Sequence, residues 1–369
     1  MIKVLFLTQN LAGGGAEKVL VNLVNSMDKS SFDITVKTIF NGGVNQERLN
    51  EDIKYGCCKK KAFSGVSRVY AYLPSKLLYK NIVGQEKYDI VVAYMHGIPT
   101  KVLAGASKSV KKIAWLHTGN MLQMSLFRCF PSKKATIKAM KKYDAIVGVA
   151  QTVTDSFSEY TGIKEKLYTC YNTNELDKIL EQAQETADLP TMKRPIICSV
   201  GRFTSEKGFS RLIDISYRLN QEGISHSLML IGDGALRESL QKKVADMQYE
   251  DVYFTGFQKN PYAFMGHADM FVCSSYYEGL STATTEAVVL GLPCVSTEVS
   301  GACEILTPDS QGLVVENIDE ALYEGIKQML KKIERGEIDK KKIQNSAERF
   351  SVKNTVGKVE ELLLSIKEK

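Results

Sequence analysis

Short apolar runs with the composition of β-strands alternate twice along the chain with longer amphipathic segments. The first series extends from the run at residues 4–8 to the run at 145–149. After a polar stretch the pattern restarts at residues 196–200 and continues to 294–296. Strands that alternate with helices form parallel sheets covered on both faces, because each helix returns the chain to the same edge. The sequence therefore predicts an α/β protein with two Rossmann-like, doubly wound domains.

The polar stretch at residues 181–194 marks the boundary between the two series. We therefore predict a first domain over residues 1–186 and a second domain over 187–350. The final segment, 351–369, has apolar residues at helical spacing and predicts an amphipathic helix, although Gly357 weakens its first turns. Its apolar positions are Val352, Val356, Val359, Leu363 and Ile366.

Composition excludes several classes of protein. A hydrophobic content of 44% with 24% charged residues is typical of a folded soluble protein. No apolar stretch reaches the roughly 18 residues that cross a bilayer, and residues 1–7 are too short a run for a signal peptide. The 8 cysteines lack Cys-x-x-Cys spacing, which argues against a zinc site or a disulfide framework. We therefore expect a cytoplasmic protein.

The net charge of +6 is divided unevenly along the chain. Residues 1–180 contain 26 Lys and Arg against 14 Asp and Glu, or +12, which leaves 22 against 28, or −6, for the remainder. A basic surface attracts an anionic membrane by roughly 1 kcal/mol for each cation near the lipid. The alternative is that these lysines only solvate helix faces. Nucleic acid is not expected, since the first half has three arginines and no interleaved aromatic residues.

Two carboxylates, Glu278 and Glu286, stand eight residues apart across a predicted junction between a loop and a helix. Ser281 or Thr282 is expected to cap the helix, and the N–H groups of its first turn form an anion site. Ionised carboxylates accept charge-assisted hydrogen bonds, including two from a diol. The segment suits a ligand with both phosphate and hydroxyl groups. The alternative is that the two acids simply favour the helix dipole.

A second motif follows the predicted strand 196–200. Gly201, Arg202 and Lys207 place two cations in one loop between a strand and a helix. Arginine offers a planar fork to phosphate oxygens and lysine a compact charge, so the pair can neutralise a diphosphate without a metal. The alternative is a surface loop with a helix cap.

Two further loops of the second domain end predicted strands. Gly232 and Gly234 flank an aspartate after the strand 228–231, where glycine allows a close backbone approach but equally a simple left-handed turn. Phe257 lies in the loop 255–260 after the next strand. Ligands of open α/β sheets bind outside the carboxyl ends of strands, so both loops are candidates for ligand contact.

The first domain carries a glycine turn after its first strand. Gly13, Gly14 and Gly15 precede Glu17 and allow backbone N–H groups to face a ligand. Lys18 stands where a dinucleotide fingerprint requires its third glycine, and the run is not a phosphate-binding Walker loop. The alternative for Glu17 is that it favours the helix N-terminus.

Two histidines of the first domain follow predicted strands. His117 ends the strand 113–116, and His96 comes after an earlier one. Both are candidates for a site at the carboxyl edge of the sheet. A structural role is the alternative for each of them.

Taken together, these motifs resemble the signatures of the retaining glycosyltransferases of family 4, of the type that acts in bacterial surface-polysaccharide and glycolipid synthesis. The run 278–295, with Ala287 and the exit 291–293, is similar to the nucleotide-sugar signature of that family. Other motifs also match this family. They are the Gly-Gly-x-Glu run at 14–17, the Gly-Arg…Glu-Lys-Gly run at 201–208, the Gly-Asp-Gly run at 232–234 and the Gly-x-x-Glu turn at 301–304. Ser281 stands where other members often have proline.

The resemblance implies the GT-B fold, in which two Rossmann-like domains face a central cleft and the C-terminal helix crosses back to the first domain. It implies that Arg202 and Lys207 grip the donor diphosphate, that Glu286 binds the ribose and that Glu278 holds the donor sugar. His117 would approach the transferred sugar and orient the reacting centre. The first domain would hold the acceptor. No metal or other cofactor is implied.

From the resemblance we expect a retaining, metal-independent transfer from a UDP-sugar to a hydroxyl acceptor, a lipid-linked glycan, at the inner face of the plasma membrane. The expected catalytic residues are His117, Arg202, Lys207 and Glu278. The expected donor-binding residues are Gly14, Gly15, Gly201, Arg202, Lys207, Gly232, Gly234, Phe257, Glu278, Gly279, Leu280, Ser281 and Glu286. The alternatives are an NAD(P)-dependent oxidoreductase, which the missing glycine fingerprint disfavours, and a non-catalytic pseudo-transferase that binds glycan or membrane.

Overall fold

The computed structural model describes residues 1–59, 65–119 and 126–368, without the side chain of Phe127. The chain forms two compact units. The first unit comprises Met1–Asn174 together with Val352–Lys369, and the second comprises Glu175–Ser351. The structure divides the chain after Asn174, whereas the sequence predicts the boundary after residue 186.

The first unit is built around a seven-stranded sheet, and the strands of each hydrogen-bonded pair run parallel. Its strands are β1 (Ile2–Thr8), β2 (Phe32–Phe40), β3 (Lys54–Lys59), β4 (Ile90–Ala93), β5 (Lys111–Leu116), β6 (Ala145–Gly148) and β7 (Leu167–Thr169), in the order β3-β2-β1-β4-β5-β6-β7. Its described helices are α1 (Gly15–Ser26), α2 (Val66–Tyr72), α3 (Ser75–Ile82), α4 (Ile98–Leu103), α5 (Lys133–Met140) and α6 (Gln151–Thr161). β1 and β4 are buried along most of their length, because helices cover both faces of the sheet.

The second unit contains a six-stranded sheet, again parallel in each pair. Its strands are β8 (Ile196–Val200), β9 (Ser227–Ile231), β10 (Val252–Gly256), β11 (Met270–Cys273), β12 (Cys294–Thr297) and β13 (Leu313–Val315), in the order β10-β9-β8-β11-β12-β13. Its described helices are α7 (Leu176–Gln182), α8 (Phe209–Gln221), α9 (Arg237–Asp246), α10 (Pro261–Met265), α11 (Thr282–Val289), α12 (Ala302–Ile305), α13 (Asp319–Glu334) and α14 (Lys340–Ser346). α7 packs on α10 and α11 and buries Ile179, which explains why the unit begins before the predicted boundary.

The last helix, α15 (Val352–Glu368), packs on α1 and belongs to the first unit. The fold implied by the resemblance is therefore confirmed in this respect. The helix buries a stripe at the predicted spacing, while Val352 remains half-buried and Gly357 is accommodated within it. The buried residues are Thr355, Val356, Val359, Leu362, Leu363 and Ile366.

Each sheet reverses its strand order at one point, between β1 and β4 in the first unit and between β8 and β11 in the second. Loops after the two strands at such a point diverge and leave a crevice, where open α/β sheets bind ligands. The two-domain Rossmann-like fold is confirmed. The loops with Gly14 and Gly15, with Arg202 and Lys207, and with Glu278 follow strands that flank these reversals. Gly232 and Gly234 follow β9, which lies one strand further out.

Within the described ranges, no helix is long and apolar enough to cross a bilayer. The same part of the chain contains no group of three or more His, Cys, Asp or Glu arranged to hold a metal ion. All 8 cysteines are free thiols, five of them buried.

Candidate functional site

The loop after β8 carries both predicted cations. Arg202 is exposed at its start, and Lys207 ends a 3₁₀ turn. Gly208 follows with φ +65° and is the N-cap of α8. A Cβ on Gly208 would lie 2.0 Å from the carbonyl oxygen of Ser274, so only glycine fits beside the loop after β11. The close approach places the loop after β8 directly against the loop after β11.

Lys207 and Glu278 form an ion pair across this junction. The Lys207 Nζ lies 2.6 Å from the Glu278 Oε1, and the Ser275 hydroxyl donates to the same oxygen at 2.7 Å. The two side chains are only 22% and 13% exposed. Burial lowers the pKa of Lys207, but the adjacent Glu278 carboxylate outweighs this effect and the net pKa is raised. Lys207 is therefore held as a cation beside a carboxylate.

Hydrogen bonds to backbone carbonyls also join the two loops. The Tyr276 N–H donates to the Glu206 carbonyl at 2.7 Å, and the Ser274 hydroxyl donates to the Lys207 carbonyl at 2.9 Å. Because both loops are tied at several points, the separation of Lys207 and Glu278 does not depend on their side-chain contact alone.

Arg211, in the first turn of α8, supports this junction and was missed by the sequence analysis. It is 3% exposed, and its Nε and Nη2 donate to the Ser274 carbonyl at 2.8 and 2.6 Å. Nη2 also donates to the Ser275 carbonyl at 2.9 Å and to Asn317 Oδ1 at 2.8 Å, and the guanidinium lies over the Tyr276 ring. Its signal in the sequence is a cation on the buried face of α8, where Ser216 is the only other polar residue.

The N-terminus of α11 is capped by Ser281, one of the two predicted caps. Its hydroxyl accepts from the Thr284 N–H at 3.3 Å. Thr282 and Ala283 are the first two residues of the helix, and their N–H groups have no acceptor within the described chain. These two donors and the positive end of the helix dipole suit an anion.

Glu286 lies in the second turn of α11 and is 5% exposed. Its Oε1 accepts from the Tyr262 hydroxyl at 2.9 Å. Tyr262, in α10, was not among the predicted residues. The hydroxyl fixes the orientation of the carboxylate by a contact between residues 24 positions apart.

Gly279 and Leu280, between Glu278 and the helix cap, are buried. A Cβ on Gly301 would lie 2.7 Å from the Gly279 carbonyl oxygen and 2.8 Å from a methyl carbon of Leu280. Gly301 has φ +75° and begins the Gly-x-x-Glu turn. The turn therefore packs against the segment that connects Glu278 to α11.

Gly232 and Gly234 are explained by the packing of neighbouring loops. Gly232 has φ +141°, and a Cβ there would lie 2.0 Å from the Gly201 carbonyl oxygen. A Cβ on Gly234 would lie 2.7 Å from both the N and the O atoms of Phe203. Glycine is required whether or not a ligand is present. Phe257 follows β10 and is 62% exposed. Donor contact by these residues stays a prediction.

In the first unit, His117 follows β5 and lies 9% exposed beside Tyr94, with ring centroids 4.9 Å apart. Its backbone N–H donates to His96 Nδ1 at 3.5 Å. Burial lowers the pKa of His117 to about 3, aided by His96, whose own pKa burial lowers to about 4. His117 Nε2 is buried without a hydrogen-bond partner among the described residues. Both imidazoles are neutral at pH 7.

Gly14 and Gly15 lie at the start of α1, with Gly14 as the N-cap at φ −88°. A Cβ on Gly14 would lie 2.2 Å from a carboxylate oxygen of Glu17, so that side chain folds back over the helix N-terminus. The position agrees with the alternative in which Glu17 favours the dipole. A donor contact at Gly14 and Gly15 stays a prediction.

The structure thus brings Arg202, Lys207, Glu278 and the N-terminus of α11 to one strand reversal of the second unit. Residues 181–349 match the family described as "Glycosyl transferases group 1". The lipopolysaccharide core biosynthesis glycosyltransferase LpsE of Rhizobium meliloti is 28% identical over 310 residues, which cover 82% of this chain and 81% of LpsE.

A second relative is the N-acetylgalactosamine-N,N'-diacetylbacillosaminyl-diphospho-undecaprenol 4-alpha-N-acetylgalactosaminyltransferase of Campylobacter jejuni. It is 24% identical over 357 residues, with coverage of 92% of this chain and 93% of the relative. Among solved structures, Anabaena Alr3699/HepE in complex with UDP and glucose superimposes with a TM-score of 0.76 at 18% identity, covering 99% of this chain and 100% of that protein. The structural likeness shows the fold.

Proposed function

We propose that this chain, whose residues 181–349 match the group 1 glycosyl transferases, is a family 4 glycosyltransferase with the GT-B fold, and that it transfers a sugar from a UDP-sugar to a hydroxyl acceptor with retention of anomeric configuration. The observation that carries the proposal is the ion pair of Lys207 and Glu278 at the reversal between β8 and β11. A cation and a carboxylate there match the two halves of the donor, since phosphate is anionic and the sugar presents hydroxyl groups.

In the proposed donor complex, Arg202 and Lys207 neutralise the diphosphate, and the N–H groups at the start of α11 contribute two further donors. Glu286, oriented by Tyr262, accepts from the ribose hydroxyls, while Glu278 accepts from the sugar. The solved complex of HepE with UDP and glucose supports UDP as the nucleotide.

We propose that the departing diphosphate itself acts as the base. The bond from the anomeric carbon to the UDP oxygen breaks, the acceptor oxygen bonds to that carbon on the same face, and the acceptor proton passes to the departing phosphate oxygen. Arg202 and Lys207 stabilise the charge that develops on this leaving group, so the step requires no metal. The role of His117 in orienting the transferred sugar stays a prediction; its Nε2 is buried without a hydrogen-bond partner among the described residues.

The proposed acceptor is a lipid-linked glycan in the synthesis of cell-surface polysaccharide or glycolipid. The names of the two relatives, one for lipopolysaccharide core and one for a diphospho-undecaprenol glycan, support this choice. The proposed location is the cytoplasm, peripheral to the inner face of the plasma membrane, because the basic first half is attracted to anionic lipid.

A thermal-shift screen across nucleotide sugars, followed by NMR of the released sugar, tests this proposal. We expect a UDP-sugar to stabilise the protein and slow hydrolysis to release the sugar with its configuration retained. Inverted product would refute the retaining mechanism. Stabilisation by NAD(P)H with consumption of its absorbance would instead indicate an oxidoreductase, and UDP-sugar binding without any turnover would indicate a pseudo-transferase.

A further inference from the structure

The Lys207 ammonium and the Glu278 carboxylate are each other's counterion. Among the described residues, Glu278 is the one hydrogen-bond acceptor of the Lys207 Nζ, at 2.6 Å. The methylene stem of Lys207 lies against Gly201, and its Cδ is 3.5 Å from the position of a Cβ on that glycine. Packing therefore holds the ammonium beside the carboxylate, and a ligand that approaches Lys207 meets both charges together.

The two oxygens of the Glu278 carboxylate are used differently. Oε1 accepts from the Lys207 ammonium at 2.6 Å and from the Ser275 hydroxyl at 2.7 Å, whereas no described residue donates to Oε2. In the proposed donor complex, Oε2 can accept from a sugar hydroxyl while Oε1 keeps both of its bonds. A bound sugar therefore offsets the negative charge of Glu278 without separating the ion pair.

UDP, the nucleotide product, brings the diphosphate to this pair without the sugar. The ammonium has several N–H donors, so it can contact a phosphate oxygen and the carboxylate at once. One positive charge then lies between two anions, and water screens them weakly because the Lys207 and Glu278 side chains are only 22% and 13% exposed. The terminal phosphate of UDP is also more negative than the same phosphate in a UDP-sugar. The Glu278 carboxylate therefore opposes UDP, and no sugar hydroxyl compensates its charge.

We propose that Glu278 weakens the binding of UDP, so that the carboxylate that holds the donor sugar also promotes release of the nucleotide product. Once the sugar has left with the acceptor, Glu278 loses its hydroxyl donor and competes with the diphosphate for the charge of Lys207. A site can favour its substrate by such a repulsive element as well as by attractive contacts. The inference rests on the proposed function, because it requires UDP to bind at the reversal between β8 and β11.

The sign of the effect of Glu278 on UDP affinity separates three roles for this carboxylate. If Glu278 only recognised the sugar, its removal would leave UDP affinity unchanged. If it only positioned Lys207 for the phosphate, its removal would weaken UDP binding. Competition for the charge of Lys207 is the role that predicts tighter UDP binding.

Isothermal calorimetry of the full chain with UDP measures this sign. E278Q should bind UDP about tenfold more tightly than wild type, which is an ordinary size for the coupling between two neighbouring sites. The dissociation rate, measured by surface plasmon resonance, should fall by a similar factor, because changes in affinity at one site appear mostly in dissociation. The matched change E286Q, at the carboxylate proposed to bind the ribose, should weaken UDP binding instead. E298Q, at an exposed glutamate of the same unit, should bind UDP as wild type does.

E278D provides a second variant in case the melting temperature shows that E278Q does not fold. It keeps the negative charge but has a shorter side chain, so it should bind UDP about threefold more tightly than wild type. Unchanged or weaker UDP binding in the folded E278Q or E278D protein, together with its loss in R202A/K207A, would overturn this inference and leave the proposed function standing. A wild-type protein that did not bind UDP would overturn both.

Discussion

The two sheets share one topology, but the loops at the carboxyl ends of their central strands differ in charge. In the second unit the loops after β8 and β11 meet in an ion pair between Lys207 and Glu278, and the carbonyls beneath it are held by a buried arginine. In the first unit the loops after β4 and β5 bring together His96 and His117, both neutral at pH 7.

This difference separates two kinds of recognition. A site lined by fixed charges suits a charged ligand, because its cations stabilise phosphate in both the bound and the departing state. A buried neutral imidazole suits an uncharged hydroxyl, since it donates or accepts a hydrogen bond without adding net charge. Similar folds thus support different chemistry, according to which side chains follow the central strands.

The largest effect is expected from removing both cations of the second unit. R202A/K207A should weaken UDP binding by roughly 100-fold or more, because hydrogen bonds to charged groups contribute roughly 1.5–3 kcal/mol each. Isothermal calorimetry measures the loss. The control R335A/K341A removes two exposed cations from the same unit and should bind UDP as the wild type does. Unchanged affinity in R202A/K207A would mean that this reversal is not the phosphate site.

A loss of about 3 kcal/mol in the free energy of unfolding is expected for Arg211→Met, because buried carbonyl oxygens lose their donors. Arg211→Lys should restore part of this stability and part of the kcat that Arg211→Met loses, since a lysine ammonium can form some of the arginine's hydrogen bonds. Urea unfolding and steady-state kinetics give the two quantities. The exposed Arg218→Met should cost no more than about 1 kcal/mol. Wild-type kcat in a folded Arg211→Met protein would show that the loop after β11 does not need this support.

For Glu278→Gln we expect kcat to fall roughly 10- to 100-fold, since the amide cannot replace charge-assisted bonds to sugar hydroxyls. Melting temperature checks that the fold survives the loss of the Lys207 partner. Glu298→Gln, at an exposed glutamate of the same unit, should turn over normally. Unaltered turnover in Glu278→Gln would remove this carboxylate from the sugar site.

The histidines of the first unit make its stability depend on pH. Their folded pKa values, about 3 for His117 and about 4 for His96, lie below the ordinary value of 6.5. Below pH 6.5 the unfolded chain therefore binds protons that the folded chain does not, and stability falls as the pH drops. At pH 5 the loss is about 2 kcal/mol for each histidine. Between pH 7 and pH 5, the free energy of unfolding measured in urea should fall less for His117→Gln than for wild type or for the exposed His267→Gln.

The sequence predicted the central strands and the loops after them, because continuous apolar runs and glycine-rich breaks are local signals. It did not predict the edge strands β3, β7 and β13, which are short and partly exposed, and Lys54–Lys59 of β3 has no apolar alternation. Arg211 and Tyr262 were missed for another reason. Their partners lie 63 and 24 residues away, and only the tertiary fold brings them together.

The return of α15 to the first unit makes the second unit a continuous insertion within it. All seven strands of the first unit precede the second unit in the chain, and only its last helix, α15, follows it, whereas Glu175–Ser351 contains all of its own strands in one uninterrupted stretch. During translation, α15 can therefore pack on α1 only after the whole second unit has been synthesised.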